Sequence, residues 1–500
     1  MEEVIMEMRT IVDISTGKEI GQAPWNTGEE LAAMVDTAFA AQPDWERVPI
    51  FERAQILYKF CDLIDANRDE VASLESLEMG KPISQSKTET QYAAEIGRAN
   101  IEHGKHLYGE VLQDSSEGYE NDVIMVRREA LGVVAVMLPF NYPVELTLQK
   151  VVPALLMGNA IIMKSSDKAQ LCVKKLIELA WEAGIPKNVL FYTCADLDDC
   201  TKYLLTNKKV NCLALTGSTA AGSEIMKDAA PDIKNVVLEL GGNDPLIVTE
   251  ECADDPEMLV KAIECLGWGR IIENNGQVCA SPKRTLVHRR AHDKFVKALI
   301  RFCDSLKRGH SMDPDAQLTR LVTVQAAERV EKQIQHTIDQ GAKLIYGGHR
   351  NGAEMDVTIL DGVTVDMDIA TNMEVFGPVV PIITFDTDEE AVSIANASKY
   401  GLSASVITSD MKKAFYFTEN VESSAVWVNG SSALRHNDQP FGGCKSTGIG
   451  VEGGGYSCEE FSRLKTYGFC GVSPKKRMFK SSDGLGDFLA GVRKVAMENE

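Results

Sequence analysis

Cys279 stands in Asn274-Asn275-Gly276-Gln277-Val278-Cys279-Ala280-Ser281. Gly276 permits a sharp turn, and the small neighbours Val278 and Ala280 leave the sulfur accessible. A thiol is a strong nucleophile once partly ionised, and a reference pKa of about 8.5 leaves some thiolate at neutral pH. The bland alternative is a small buried hydrophobe. Glu239 ends the apolar run Val236-Val237-Leu238 and precedes Leu240-Gly241-Gly242. A carboxylate at the end of a buried strand sits where open α/β sheets hold ligands, and partial desolvation there suits it to general-base work. A strand-end salt bridge is the alternative.

Asn141 lies in Pro139-Phe140-Asn141-Tyr142-Pro143. Its amide could donate to an oxyanion, or it could cap the helix that Pro143 opens. Thr216-Gly217-Ser218-Thr219-Ala220-Ala221-Gly222 follows a strand-like run and opens a helix. Free N–H groups and the helix dipole make such a turn an anion site, although it spells neither G-x-G-x-x-G nor a Walker loop. Lys164 ends another strand-like run, within reach of a ribose hydroxyl or a phosphate.

The elements that must hold these residues read as two α/β series. The first 110 residues or so are mostly helical, with apolar three- and four-residue spacing in Leu31–Gln42 and Arg53–Asn67. From Ala130, strands of continuous apolar character alternate with helices: Ala130–Leu138, Ala160–Met163, Val189–Tyr192, Cys212–Leu215 and Val236–Leu240. That texture predicts a parallel sheet covered on both faces. A second series begins at Leu246–Val248 and includes Thr285–Val287, Val379–Phe385, Ala404–Ile407 and Ala425–Val428. The boundary between the two falls near Leu240–Pro245. Asp122–Arg128 and Leu464–Cys470 are lone strand-like runs that need partners, either each other or another subunit. Gly442–Gly455 holds seven glycines in fourteen residues and reads as a loop. Leu485, Phe488, Leu489 and Val492 have helical spacing in the tail.

A chain of 500 residues is long enough for roughly three domains. Its 44% apolar and 25% charged residues are ordinary for a globular protein. A net charge of −21 argues against nucleic acid and anionic membranes as partners. No apolar stretch reaches membrane length, and the acidic start lacks the basic region of a signal peptide. Twelve cysteines without C-x-x-C or Cys/His metal spacing point to a reducing cytoplasm and to no metal.

In order along the chain, these pieces resemble the aldehyde dehydrogenase superfamily, from about Asp13 to about Gly468. The motifs are Pro-Phe-Asn-Tyr-Pro at 139–143, Thr-Gly-Ser at 216–218, Glu-Leu-Gly-Gly at 239–242, Gly-Gln-Val-Cys at 276–279, Glu-Val-Phe-Gly-Pro-Val at 374–379 and Pro-Phe-Gly-Gly at 440–443. The resemblance implies an α/β fold with a Rossmann-type cofactor domain (1–113 and 132–240) and an α/β catalytic domain (241–440). It also implies a small β oligomerisation element (114–131 and 456–472), leaving a tail at 473–500. It implies that Cys279 attacks an aldehyde, that Asn141 holds the oxyanion, and that Glu239 activates the water that frees the acid. Glu452 matches a second carboxylate that relays protons. Lys164 and Glu374 match the cofactor riboses, Ser218 the pyrophosphate, and Gly217, Gly222, Leu240 and Phe376 further cofactor contacts. Asp167 stands where many members place a glutamate on the adenosine ribose, and an acid there repels a 2′-phosphate, so NAD is expected rather than NADP.

By the same likeness Tyr142, Leu146, Gln149, Val278, Arg435 and Phe441 line the aldehyde channel. Arg435 looks like an arginine of members that act on small polar aldehydes. It would pair with a substrate carboxylate or orient a hydroxyl, or else pair with Asp438. Val278 and Tyr92 stand where phosphorylated-substrate members carry arginine. The expected activity is NAD-dependent oxidation of a short polar or carboxylated aldehyde, of lactaldehyde or semialdehyde type, by a homodimer or homotetramer. The rivals are a CoA-acylating enzyme, which typically lacks the glutamate at 239, and a non-catalytic member kept as a binding protein. The 40-residue interval from Glu239 to Cys279 is a few residues longer than usual, and Ser165 replaces a common proline.

Overall fold

A computed structural model describes residues 7–113, 117, 119–473, 475, 492 and 494–497. The chain forms a large unit, residues 1–107 with 130–463, and a small one, residues 108–129 with 464–500.

The large unit opens with an antiparallel hairpin, Glu7–Val12 against Glu19–Trp25, in a region whose sequence reads as helical. Four helices follow: α1 (Gly28–Arg47), α2 (Ile50–Ala66), α3 (Arg68–Met79) and α4 (Ile83–Lys105). A capping box starts α1: the Thr27 hydroxyl accepts from the Glu30 N–H, and the Glu30 carboxylate accepts from the Thr27 N–H at 2.9 Å.

A six-stranded sheet comes next, in the order Gly448–Ile449, Asn235–Glu239, Val210–Thr216, Val133–Met137, Ala160–Lys164, Leu190–Thr193. All neighbours are parallel except the short strand Gly448–Ile449, which the glycine-rich segment contributes to the edge. Val133–Met137 is buried at every residue, as a strand covered on both faces must be. Chain order reverses between Val133–Met137 and Val210–Thr216. Open α/β sheets bind ligands beyond the carboxyl ends of such a pair. Helix α5 (Pro143–Leu156) leaves the first of these strands and is buried along its whole length.

Four residues, Leu240–Asn243, connect this sheet to a seven-stranded one. Its order is Lys343–Tyr346, Thr358–Asp361, Val379–Phe385, Pro282–His288, Asp244–Val248, Ser403–Ile407, Ala425–Val428, and only the first pair is antiparallel. The α/β class and the Rossmann-type architecture expected from the sequence are present, and the junction near Leu240–Pro245 falls between the two sheets.

In the small unit Glu110–Val111, Val123–Ala130 and Ser462–Phe469 form a three-stranded sheet. The two lone strand-like runs thus partner each other. Helix Gly454–Glu460 packs on α4 in the large unit, so that unit extends further toward the C-terminus than a division at residue 456. The helix expected over Leu485, Phe488 and Leu489 lies outside the described residues. No helix among the described residues is long and apolar enough to cross a membrane.

Candidate active site

Two cavities meet in the large unit. One opens at the carboxyl ends of the six-stranded sheet, walled by Phe140, Thr216, Gly217, Leu240, Glu374 and Phe376 among others. The other, about 370 Å³, lies between α4, the head of α5 and the loops around Val278 and Arg435. Asn141, Glu239 and Cys279 belong to both walls.

The thiol rests on an unusual turn. Asn274, Asn275 and Gly276 adopt successive left-handed conformations, with φ of 43°, 53° and 74°. Asparagine and glycine tolerate this region best. A Cβ on Gly276 would lie 2.6 Å from the backbone of Gly377, so the turn is also a close approach. The Asn275 amide donates to the Thr319 hydroxyl at 2.8 Å and accepts the Thr319 N–H at 2.8 Å. The Gln277 side chain accepts the Val322 N–H at 3.0 Å. The next residues, Val278 and Cys279, therefore leave a pinned backbone. The Asn141 amide donates to the Gln277 carbonyl at 3.1 Å, and the Asn141 carbonyl accepts from Asn274 at 3.1 Å. One amide hydrogen of Asn141 is thus spent on the nucleophile loop and the second remains.

Glu239 is buried, and neither carboxyl oxygen has a hydrogen-bond partner. Burial, then the charge of Glu452, push its carboxyl up to about 8. Lys150 and the neighbouring Cys279 thiol oppose the shift. Burial and the Glu239 charge raise the Cys279 thiol well above its ordinary range, opposed by Lys283 and Arg435. The pair is therefore a neutral thiol beside a carboxyl that can take its proton. Behind it Lys150 and Glu452 form a buried ion pair.

On the sheet side, Ser218 caps helix Thr219–Ala229 by accepting the Ala221 N–H at 3.2 Å. The Thr216 hydroxyl is buried without a partner. Phe140 and Phe376 meet edge to face at 6.1 Å. Glu374 accepts from the Gly242 N–H at 3.3 Å and from Lys283 at 3.1 Å, and Lys283 also donates to the Cys279 carbonyl. A helix N-terminus, an orphaned hydroxyl and an aromatic pair at the switch point fit a dinucleotide. Gly222 serves this side differently: a Cβ there would lie 2.5 Å from Leu240, so it allows helix and strand end to pack. Lys164 and Asp167 do not wall the cavity. Lys164 is half-buried at the end of its strand, and exposed Asp167 pairs with Lys168 at 2.7 Å.

In the second cavity Tyr142, Leu146, Val278, Arg435 and Phe441 form wall. Gln149 does not. It is fully buried farther along α5, with both amide atoms unpartnered. Asp438 is not the partner of Arg435 but pairs with His103 at 3.0 Å. Arg435 donates to Glu145 at 2.7 Å and lies 3.9 Å over the Phe441 ring. Glu145, Glu273 and Lys81 escaped the sequence reading. Tyr142, Glu145, Leu146 and Gln149 share one helical face, so the spacing that selects three of them selects Glu145 also. The Glu273 carboxylate accepts from the Tyr142 hydroxyl at 2.5 Å, and burial pushes it up to about 7. Lys81 donates to Glu75 at 2.7 Å and to Glu89, and Glu89 accepts the Val144 and Glu145 N–H groups that start α5. Nothing local in the sequence marks that cap, because it comes from another helix.

Residues 5–467 match the model of the aldehyde dehydrogenase family. A lactaldehyde dehydrogenase of Methanococcus aeolicus is 35% identical over 83% of this chain and 87% of its own. A 3-sulfolactaldehyde dehydrogenase of Priestia aryabhattai is 36% identical over 82% of this chain and 85% of its own. The crystal structure of the glyceraldehyde-3-phosphate dehydrogenase GapN of Methanocaldococcus jannaschii, complexed with NADP, is 33% identical. It superposes with a TM-score of 0.87 over 94% of this chain and 100% of its own. With a match across nearly its full length, the chain belongs to the aldehyde dehydrogenase family and is an oxidoreductase acting on aldehydes.

Proposed function

We propose that this enzyme oxidises a short polar or carboxylated aldehyde to the acid, with NAD, through a thioester on Cys279. The observation that carries the reading is the sharing of Asn141, Glu239 and Cys279 by both cavities: a nucleophile, a base and an oxyanion donor stand where an aldehyde from one side meets a cofactor from the other. Glu239 takes the proton of the Cys279 thiol, and the sulfur adds to the aldehyde carbon. The Asn141 amide and the Cys279 N–H donate to the resulting oxyanion, the arrangement that lowers such barriers most. A nicotinamide cofactor held along Leu240, Glu374 and Phe376 would supply the hydride acceptor for that carbon. Glu239 next gives up that first proton toward the Lys150–Glu452 pair behind it, then accepts a second proton from water as it attacks the thioester, and the Cys279 sulfur leaves as the thiolate when the acid departs.

Glu374, Phe376, Leu240, Gly217 and Ser218 hold the cofactor in this reading, with Lys164 and Asp167 toward its adenosine ribose. The Asp167 carboxylate favours NAD, since it repels a 2′-phosphate. A homodimer or homotetramer in the cytoplasm is the matching assembly and place, with the small unit's strand edges as the joining surface. The test is acid formation from aldehyde and NAD with CoA absent. Product that appears only when CoA is added overturns the role given to Glu239.

A further inference from the structure

The wall of the aldehyde-side cavity carries more carboxyl than ammonium or guanidinium groups. Lys81 and Arg435 face it, against Glu89, Glu145, Glu239 and Glu273. Lys81 is engaged by Glu75 and Glu89 and lies 3.9 Å over the Tyr142 ring. Arg435 is engaged by Glu145 at 2.7 Å and rests on Phe441, while the Tyr92 hydroxyl donates to its backbone carbonyl at 2.7 Å. An arginine that receives a carboxylate offers two parallel N–H groups in a fork. Here a protein carboxylate already closes one arm. A second carboxylate brought to this guanidinium would meet Glu145 in a poorly hydrated pocket, where like charges repel strongly.

The wall near Arg435 and Tyr142 also holds an unengaged donor and an unengaged acceptor. Arg435 Nη2 and Glu273 Oε2 are both buried without a hydrogen-bond partner. A hydroxyl can donate and accept and carries no charge, whereas a carboxylate or sulfonate only accepts. We infer that Glu145 is a specificity residue: by occupying Arg435 it reserves the pocket for short uncharged hydroxyaldehydes and turns away aldehydes that carry an anionic group. This rests on reading the cavity as the aldehyde site and narrows its substrate class.

The experiment compares kcat/KM for glycolaldehyde, lactaldehyde and succinic semialdehyde, with NAD, in the full chain and in Glu145→Gln. The wild type is expected to favour the two hydroxyaldehydes by about 100-fold, the scale on which an unmatched polar group discriminates. Glu145→Gln frees the guanidinium and moves the ratio toward the semialdehyde by about tenfold or more. A wild type that uses the semialdehyde equally or better overturns the inference, and so does an unchanged ratio in the variant. The wild-type ratio needs no variant, so a misfolded Glu145→Gln does not shelter the claim. Oxidation of none of the three overturns the broader active-site reading along with this one, whereas semialdehyde preference overturns this one alone.

Discussion

Replacing Glu239 by glutamine keeps the shape of the side chain and removes the only proton acceptor given to the thiol. Burial and Glu452 hold the native carboxyl at about 8. About one-tenth of molecules then carry the ionised base at pH 7 and about nine-tenths at pH 9, so the wild-type rate rises about tenfold across that interval. Glu239→Gln loses this rise, and its turnover falls by about 10²–10⁴, the usual worth of a positioned base. Initial rates of cofactor reduction across a pH series give the profile, and rapid quenching reads whether an acyl-enzyme accumulates after a single turnover. The same substitution acts on stability with a defined sign. A carboxyl raised from 4.5 to about 8 on folding binds its proton more tightly in the native state, so its contribution is lost as pH climbs through that window. Glu239→Gln is therefore expected to melt above the wild type at pH 8, with the gap closing toward pH 4.5. A variant that keeps the tenfold rise with pH, or that releases acid without an acyl-enzyme stall, refutes the role of Glu239 as base.

Three further substitutions probe other parts of the site. Asn141→Ala removes a donor to the oxyanion and should lower kcat by about 10²–10³; an unchanged kcat in a folded variant removes Asn141 from the mechanism. Gly276→Ala puts a Cβ 2.6 Å from the Gly377 backbone at a φ of 74° and should cost more than about 2 kcal/mol in urea unfolding; a wild-type midpoint would mean that the turn relaxes. Asp167→Ser removes the acidic group expected at the adenosine ribose and should raise kcat/KM for NADP relative to NAD by about tenfold; a constant ratio takes Asp167 out of the cofactor argument.

The parts of this structure that sequence exposes are those with a local signature. Val133–Met137 and Val379–Phe385 are continuous apolar runs between turn residues, and a doubly covered strand has no other way to look. Cys279 and Glu239 stand near glycines that the backbone needs at those points, so their motifs mark them in the sequence. Hidden parts depend on partners distant in the chain. Glu75, Lys81 and Glu89 look like the polar face of surface helices, yet they are buried and satisfy one another. Lys283, four residues past Cys279 in sequence, is buried and pairs with Glu374, which is distant in the chain. Gln149 continues the helical face of Tyr142 and Leu146, but α5 is buried along its whole length and the cavity reaches only its first turn. The hairpin at Glu7–Trp25 is short and mostly exposed, so it carries too few buried positions to reveal a period of two.

The carboxyl of Glu89 at the head of α5 ties helix α4 to the first helix launched from the six-stranded sheet. The six-stranded sheet begins at residue 133, but the first turn of the helix it launches is anchored by a carboxyl supplied from α4. Without Glu89, the turn that aims Tyr142, Glu145 and Leu146 loses this clamp. Changes that shift α4 by a fraction of a turn therefore re-aim the side of the second cavity that Tyr142, Glu145 and Leu146 form.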